Sequence, residues 1–389
     1  MSRMTKLVLA LVFSLSAFTA GQTEEQEDAD ITGLLKMFES ISVGFYLDST
    51  YQYSFNEPDS GEIGARSLYP DDNEFKFNAF TLSFEKTPSA NGSLIDHLGF
   101  RTDILFGDQA DLLNPSGIDS DAVSPYQAYI QVMPVEGLNV YFGQFVTLAG
   151  FEVIEAKDNP NISRSILFGY AIPFTHTGIR ATYETGPLSV ALGVNNGWDQ
   201  WDDDNDAKTI EAQIGLAGSN DTVEGSLYVT GYFGKENDDF GNDEWRELIT
   251  VVGSLAFGPL TLYADLDFGW QQDVELSEDF FDDVFWWGIA GYAVLDAHPM
   301  VTLALRGEYF DDDDGFRGFG TTVWEITPTI IFKPFKGMPN SELTEYLDNF
   351  EFRVEYRFDK ADEPIFEDEG VADDTQHTIM AQALYWINL

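Results

Sequence analysis

From Ile41 onward the chain alternates apolar and polar positions with a period of two, the pattern of strands that present one apolar face and one polar face. The clearest case is NFEFRVEYRFD (349 to 359). Phe350, Phe352, Val354, Tyr356 and Phe358 share one face, and Glu351, Arg353, Glu355, Arg357 and Asp359 share the other. SLYVTGYF (226 to 233) and LTLYADLDFGW (260 to 270) repeat the alternation, with Asp265 and Asp267 on the polar face of the second. The same reading places candidate strands at 41–55, 76–86, 97–108, 125–134, 138–149, 175–185, 187–197, 208–217, 222–234, 245–257, 260–271, 283–296, 300–310, 321–333, 349–359 and 375–388. That is about sixteen strands, within a range of roughly 14 to 18, each near the length that crosses a bilayer at a tilt.

The connections alternate as well. Short ones are PVEG (134 to 137), ETGP (184 to 187), GSNDT (218 to 222), FGP (257 to 259) and DAHP (296 to 299). Between them lie long acidic ones such as NEPDSGEIGARSLYPDDNE (56 to 74), DQADLLNPSGIDSDAVSP (108 to 125), WDQWDDDNDA (198 to 207), VELSEDFFDD (274 to 283) and KADEPIFEDEGVADD (360 to 374). Such alternation puts tight turns at one end of an antiparallel barrel and long loops at the other. KPFKGMPNSELTEYLD (333 to 348) is a long connection in a short-turn slot, with room for a small helix. A soluble β-sandwich also alternates, but its apolar faces pack on a second sheet. Aromatics clustered near strand ends (Tyr51, Tyr53 and Phe55; Phe285, Trp286 and Trp287) and heavily charged polar faces favour a transmembrane β-barrel with aromatic girdles and a wet lumen.

Composition narrows the function. The 389 residues include 20 Lys and Arg against 67 Asp and Glu, a formal charge of −47, and no cysteine. That balance repels phosphate backbones and excludes nucleic acid as a partner. Without cysteine there is no disulfide, thiolate zinc site, attached c-type haem or cysteine nucleophile. At 44% hydrophobic and 15% aromatic residues the chain is too apolar for disorder. Met1 to Ala20 carries Arg3 and Lys6 before an apolar run ending in small residues, which reads as a secretory signal peptide and is short for a membrane-spanning helix. The expected organisation is a signal peptide at 1–20, a polar spacer and short helix at 21–40, and an all-β outer-membrane barrel at 41–389.

One long connection differs from its acidic neighbours. GFEVIEAKDNPNISRSILFGYAIPFTHTG (150 to 178) has an apolar SILFGYAIPF core and two of the few basic residues, Lys157 and Arg164. A loop of this composition needs a surface to pack on, and the barrel's inner wall is the one available. The expectation is an inward-folded loop between strands 5 and 6 that narrows the pore. This region, with YFGQF (141 to 145) and VALGVNNGWD (190 to 199), resembles the OmpL-like beta-barrel porin 2 family. The matching residues are Gly143, Gln144, Glu152, Asn159, Ser163, Arg164, Ser165, Phe168, Pro173, His176, Gly178, Tyr183, Asn195, Asn196, Gly197 and Trp198. The resemblance implies an outer-membrane channel and covers nearly the whole chain after the signal. By structural analogy, trimeric general porins also fold this loop inward, and a homotrimer is an expected form.

Candidate chemistry is sparse. The four histidines, His97, His176, His298 and His377, sit in no HExxH or GxSxG setting, so no enzyme is expected and His176 is read as a loop-to-wall hydrogen bonder. WDDDNDA (201 to 207) and FDDDDGF (310 to 316) miss the ligand spacing of an EF-hand. Acidic loops leave loose divalent-cation binding open, and no other cofactor is expected. Candidate pore residues are Glu152, Glu155, Lys157, Asp158, Arg164, His176, Arg180, Arg101, Arg306 and Arg353, with Glu308, Glu351, Glu355, Arg357, Asp265 and Asp267 also of inward parity. Two readings of these charges stand open: a transverse field of arginines facing loop carboxylates, or salt bridges that stiffen the wall. The expected function is passive diffusion of small hydrophilic solutes or ions, favouring cations, in a bilayer of outer-membrane lipid and lipopolysaccharide. A surface adhesin or receptor, and a conduit sheathing an electron-transfer protein, are the alternatives.

Overall fold

The computed structural model describes residues 40–118, 120, 122–237, 243–277, 280–338 and 346–389. The expected signal peptide, spacer and amino-terminal helix therefore lie outside the described residues, Ser40 apart, as does most of the helix expected within 333–348.

The strands are β1 (Ser42–Ser54), β2 (Glu74–Lys86), β3 (Leu98–Phe106), β4 (Val123–Val135), β5 (Leu138–Val146), β6 (Thr175–Thr185), β7 (Leu188–Asn195), β8 (Thr209–Ser219) and β9 (Glu224–Asn237). They continue as β10 (Asp243–Phe257), β11 (Leu260–Ser277), β12 (Phe280–His298), β13 (Val301–Asp311), β14 (Thr322–Phe332), β15 (Phe350–Ala361), β16 (Phe366–Asp368), β17 (Val371–Asp373) and β18 (Thr375–Asn388). β1 to β15 and β18 close into one antiparallel barrel of 16 strands in sequence order, with β18 set between β15 and β1. Closure leaves no edge of unpaired peptide groups, the condition hydrocarbon imposes. Each barrel strand overlaps one that the alternation predicts.

The alternation is read out directly in exposure. On β15, Phe352, Val354 and Tyr356 are exposed while Glu351, Arg353, Glu355, Arg357 and Asp359 are buried. Leu227 and Val229 are exposed on β9, and Leu303 and Leu305 on β13, beside buried Thr230, Tyr232 and Arg306. Apolar side chains point outward to lipid and charged ones inward. Exposed aromatics gather at both strand ends: Phe75, Phe77, Trp245 and Trp324 toward the long loops, Tyr183, Phe332 and Phe352 toward the short turns.

Two expectations need correction, and two long connections hold small elements of their own. VELSEDFFDD is mostly strand: β11 and β12 run on to Ser277 and from Phe280, across an irregularity between Gln271 and Val274. Beyond the bilayer a hairpin keeps its peptide groups paired however polar its side chains. The 360–374 connection contains a small hairpin, β16 with β17, and the 108–125 connection a short helix, α1 (Gln109–Leu113). Trp286 belongs to no girdle. Parity turns it inward between outward Phe285 and Trp287, where it is fully buried and donates from Nε1 to the Ala171 carbonyl at 3.1 Å.

Val354 lies midway along β15 on the lipid face. Replacing it with Arg is expected to cost about 2–4 kcal/mol, the penalty for a charge near the bilayer midplane. Urea titration of the folded fraction in lipid vesicles, read by heat-modifiable gel mobility, measures it.

Candidate functional site in the lumen

Backbone inside a barrel has no ladder to join, so its donors and acceptors need side chains. The connection between β5 and β6 meets this demand with the inward charges of the wall. Two wall carboxylates each accept a pair of consecutive N–H groups. Glu355 takes Ile162 and Ser163 at 2.6 and 2.9 Å, and Glu308 takes Ile166 and Leu167 at 2.7 and 2.6 Å. Guanidiniums serve the carbonyls: Arg353 donates to Ala156 and Asn159 at 2.8 and 2.9 Å, Arg306 to Ser163 at 2.6 Å, and Arg357 to Arg164 at 2.7 Å. Tyr46 and Tyr232 hydroxyls accept from Ala156 N–H at 3.0 Å and Leu148 N–H at 2.9 Å. The SILFGYAIPF core supplies apolar contact, with Ile166, Leu167, Phe168, Ala171 and Ile172 all buried, as is Ile162 just before it. A single π-helical turn, Leu167–Ala171, carries part of it.

The predicted pore residues divide into groups. Glu152 and Arg306 meet at 2.9 Å, fully buried; Arg306 also holds Glu325 at 2.6 Å, and Glu152 accepts from Ser165 N–H and Tyr292 hydroxyl. Arg353 pairs with Glu351 at 2.6 Å. Arg164 donates to the carbonyls of Val153, Ile162 and Ile154, so it folds the loop on itself. His176 bonds the Gly197 carbonyl through Nδ1 at 2.9 Å, approaches Thr147 and stacks on Tyr232. Arg180 grips Glu211 in two bonds of 2.6 and 2.8 Å over the Phe145 ring. These side chains hold the interior together.

The remaining four share open space. Glu155, Lys157 and Asp158 form the loop's tip, Lys157 pairing with Glu155 at 2.8 Å and with Asp158. With Arg101, itself bound to Asp103 at 2.7 Å and near Glu85 at 3.5 Å, they border two adjoining cavities of about 550 and 340 Å³ toward the short-turn end. Tyr126, Tyr129, Tyr141 and Arg180 line the larger cavity, and Tyr46, Glu85 and Trp386 the smaller.

Sequence reasoning missed a second inward segment. The 56–74 connection reads as an exposed acidic loop, yet Ile63, Arg66, Leu68 and Tyr69 are buried. Arg66 binds Asp359 at 2.9 Å and Thr378 at 3.0 Å, and Tyr69 donates to Asp48 at 2.8 Å. The available signal was Arg66 itself, a lone guanidinium amid carboxylates, followed by SLY.

A closed wall, greasy outside and charged inside, with its own loops docked in the lumen, defines an outer-membrane β-barrel. The chain belongs to the porin family described as "Putative beta-barrel porin-2, OmpL-like", which matches residues 40–386. Its fold is similar to that of the anion-selective porin from Comamonas acidovorans, with a TM-score of 0.59 and 12% identity over 90% of this chain and 99% of that one. It is also similar to the outer-membrane channel DcaP of Acinetobacter baumannii (TM-score 0.56, 16% identity, 89% and 97% covered). OmpT of Vibrio cholerae, recorded in a trimer form, gives a TM-score of 0.54 at 12% identity, with 89% and 99% covered. At such identities the likeness concerns the fold alone. No curated protein matches the chain.

Arg306→Met is expected to leave Glu152 buried without its counter-charge and Glu325 with only Arg357 at 3.9 Å, and to destabilise the barrel by about 3–5 kcal/mol, seen as a lower urea midpoint. Asp199, in the β7–β8 connection, gives a pH signature. It accepts from Phe174 and Thr175 N–H at 2.8 Å, yet burial pushes its carboxyl up to about 6. A carboxyl raised on folding stabilises the fold below its ordinary value of 3.8, and that contribution is lost as pH rises through about 6. Asp199→Asn is expected to flatten the fall in melting temperature across this window, since Asn tolerates the positive φ of 53° and keeps the acceptor.

Proposed function

We propose that this porin passes small hydrophilic solutes and ions passively, favours cations, and works as a homotrimer. The observation that carries the selectivity is the excess of 67 Asp and Glu over 20 Lys and Arg, which fills the long connections at one end of the barrel. In the two cavities Lys157 is flanked by Glu155 and Asp158, and Arg101 by Glu85 and the buried Asp103, so the basic groups there are matched by carboxylates and leave no positive field to hold anions. Acidic loops over the mouth add a negative potential that concentrates cations and repels anions. The role of these residues as a constriction belongs to the same reading. The anion selectivity of the Comamonas porin does not transfer at 12% identity.

The trimer reading rests on the outer wall. Gly253, Ala264, Gly291 and Gly307 are direct cross-strand neighbours on β10 to β13, all of outward parity. They floor an apolar depression of about 790 Å³ bordered by Leu227, Leu255, Leu262, Leu305 and Ile326. A Cβ added at these glycines meets nothing closer than 3.8 Å, so nothing inside the chain requires them. A flat apolar recess suits contact with another subunit.

Single-channel recording in planar bilayers under a KCl gradient tests both halves. The expected result is a reversal potential of cation-preferring sign, moved toward zero by Asp158→Asn with Glu155→Gln, and closure in three equal steps. An anion-preferring sign would defeat the selectivity, single-step closure the trimer, and absence of any opening the channel itself.

A further inference from the structure

Several buried polar atoms of the wall lack partners, both amide atoms of Gln144 among them, but in one cluster the orphans are carboxylate oxygens gathered on neighbouring positions. On β11, Asp265 and Asp267 point inward from alternate positions and are 2% and 0% exposed. Thr250, fully buried, lies directly across from Asp267 on β10. Asp265 uses Oδ2 to accept from Phe151 N–H at 2.8 Å, where the inward loop begins. Its Oδ1, both oxygens of Asp267 and the Thr250 hydroxyl have no hydrogen-bond partner among the described residues.

The charge is unmatched too. Asp265 lies two positions along the same strand from Asp267, and Glu308 on β13 sits opposite Ala290, the residue that faces Asp265 on β12, so the acidic groups of this wall face the same space. Glu308 is committed to the uncharged N–H groups of Ile166 and Leu167, and the nearby Arg306 is committed to Glu152 and Glu325. None of Asp265, Asp267 and Glu308 forms an ion pair among the described residues. Carboxylates buried in this way cost several kcal/mol unless a proton or a cation joins them.

We propose that Asp265, Asp267 and Thr250 form a binding site for one hard divalent cation, of the calcium class, lodged between the β10–β11 wall and the root of the inward loop. The donors are all oxygen, which such ions select, and two carboxylates balance a double charge. No three His, Asp or Glu residues converge as a cage among the described residues. The site is therefore a two-carboxylate one, completed by the hydroxyl and water. Because Asp265 also holds Phe151, the ion fastens the first turn of the loop to the wall. The inference is independent of the channel reading, since it requires binding and not conduction.

The test uses the full barrel in detergent, stripped with a chelator, equilibrated with micromolar Ca²⁺ in 150 mM salt and passed through gel filtration before metal analysis. The salt suppresses loose association with the acidic loops. About one Ca²⁺ per chain is expected, with a higher melting temperature when it is bound. Asp267→Asn, checked for folding by heat-modifiable mobility, is expected to retain less than about a tenth of that metal. Thr250→Val, which keeps shape and charge, is expected to weaken binding several-fold, and it decides the matter if the Asn variant fails to fold. Wild-type barrel that retains no Ca²⁺ would overturn the site in favour of carboxyls held by protons. Undiminished retention in the variants would place the ion on the outer loops and overturn it as well.

Discussion

Hydrocarbon offers a peptide group no hydrogen-bond partner, and the architecture follows from that shortage. The wall satisfies its own backbone by closing, β18 lying against both β15 and β1. Once closed, the period of two leaves a single choice of face for each side chain. Phenylalanine, leucine and valine go to lipid, so the glutamates and arginines of β13, β14 and β15 are forced into the interior. The density of charge in the lumen is thus a consequence of the greasy exterior rather than a separate design.

The same shortage governs the chain that enters the lumen. Irregular backbone is tolerated there only where something answers its donors and acceptors. Here the wall answers with matched geometry: carboxylates such as Glu355 and Glu308 bracket two successive N–H groups, and guanidiniums such as Arg353 span two carbonyls. Each loop-facing charge of β15 also has an opposite charge beside it on its own strand, as Arg353 has Glu351 and Arg357 has Asp359. The strand's net charge is therefore small although its charge density is high. Of the two readings the sequence left open, wall-stiffening pairs describe Arg306, Arg353 and Arg180, while the loop tip and Arg101 keep solvent-facing charge.

Strand positions and facing were legible because each depends on neighbours two residues apart. The alternating lengths of the connections made the two ends of the barrel legible as well. What the sequence concealed depends on residues far apart in the chain. Arg66 reaches Asp359 across 293 positions, and no local pattern announces that pairing. The choice between Glu152 and Glu155 as the partner of Arg306 was equally hidden, since both sit on one loop and only its path through the lumen separates them. Trp286 was misread for a related reason: a run of three aromatics looks like a girdle until parity is applied to each member.

The inward part of the first connection crosses the seam of the cylinder. Arg66 and Gly64, which follow β1, bind Asp359 on β15 and Gln376 and Thr378 on β18. The chain's opening strand thereby latches its closing strands from within. A half-assembled sheet lacks the residues this latch grips, so the first connection is held only to its own strand, as by Tyr69 to Asp48 and Gln52 to the Tyr69 carbonyl, until the last strand arrives. The latch on that flank of the bore is therefore complete only on a closed cylinder.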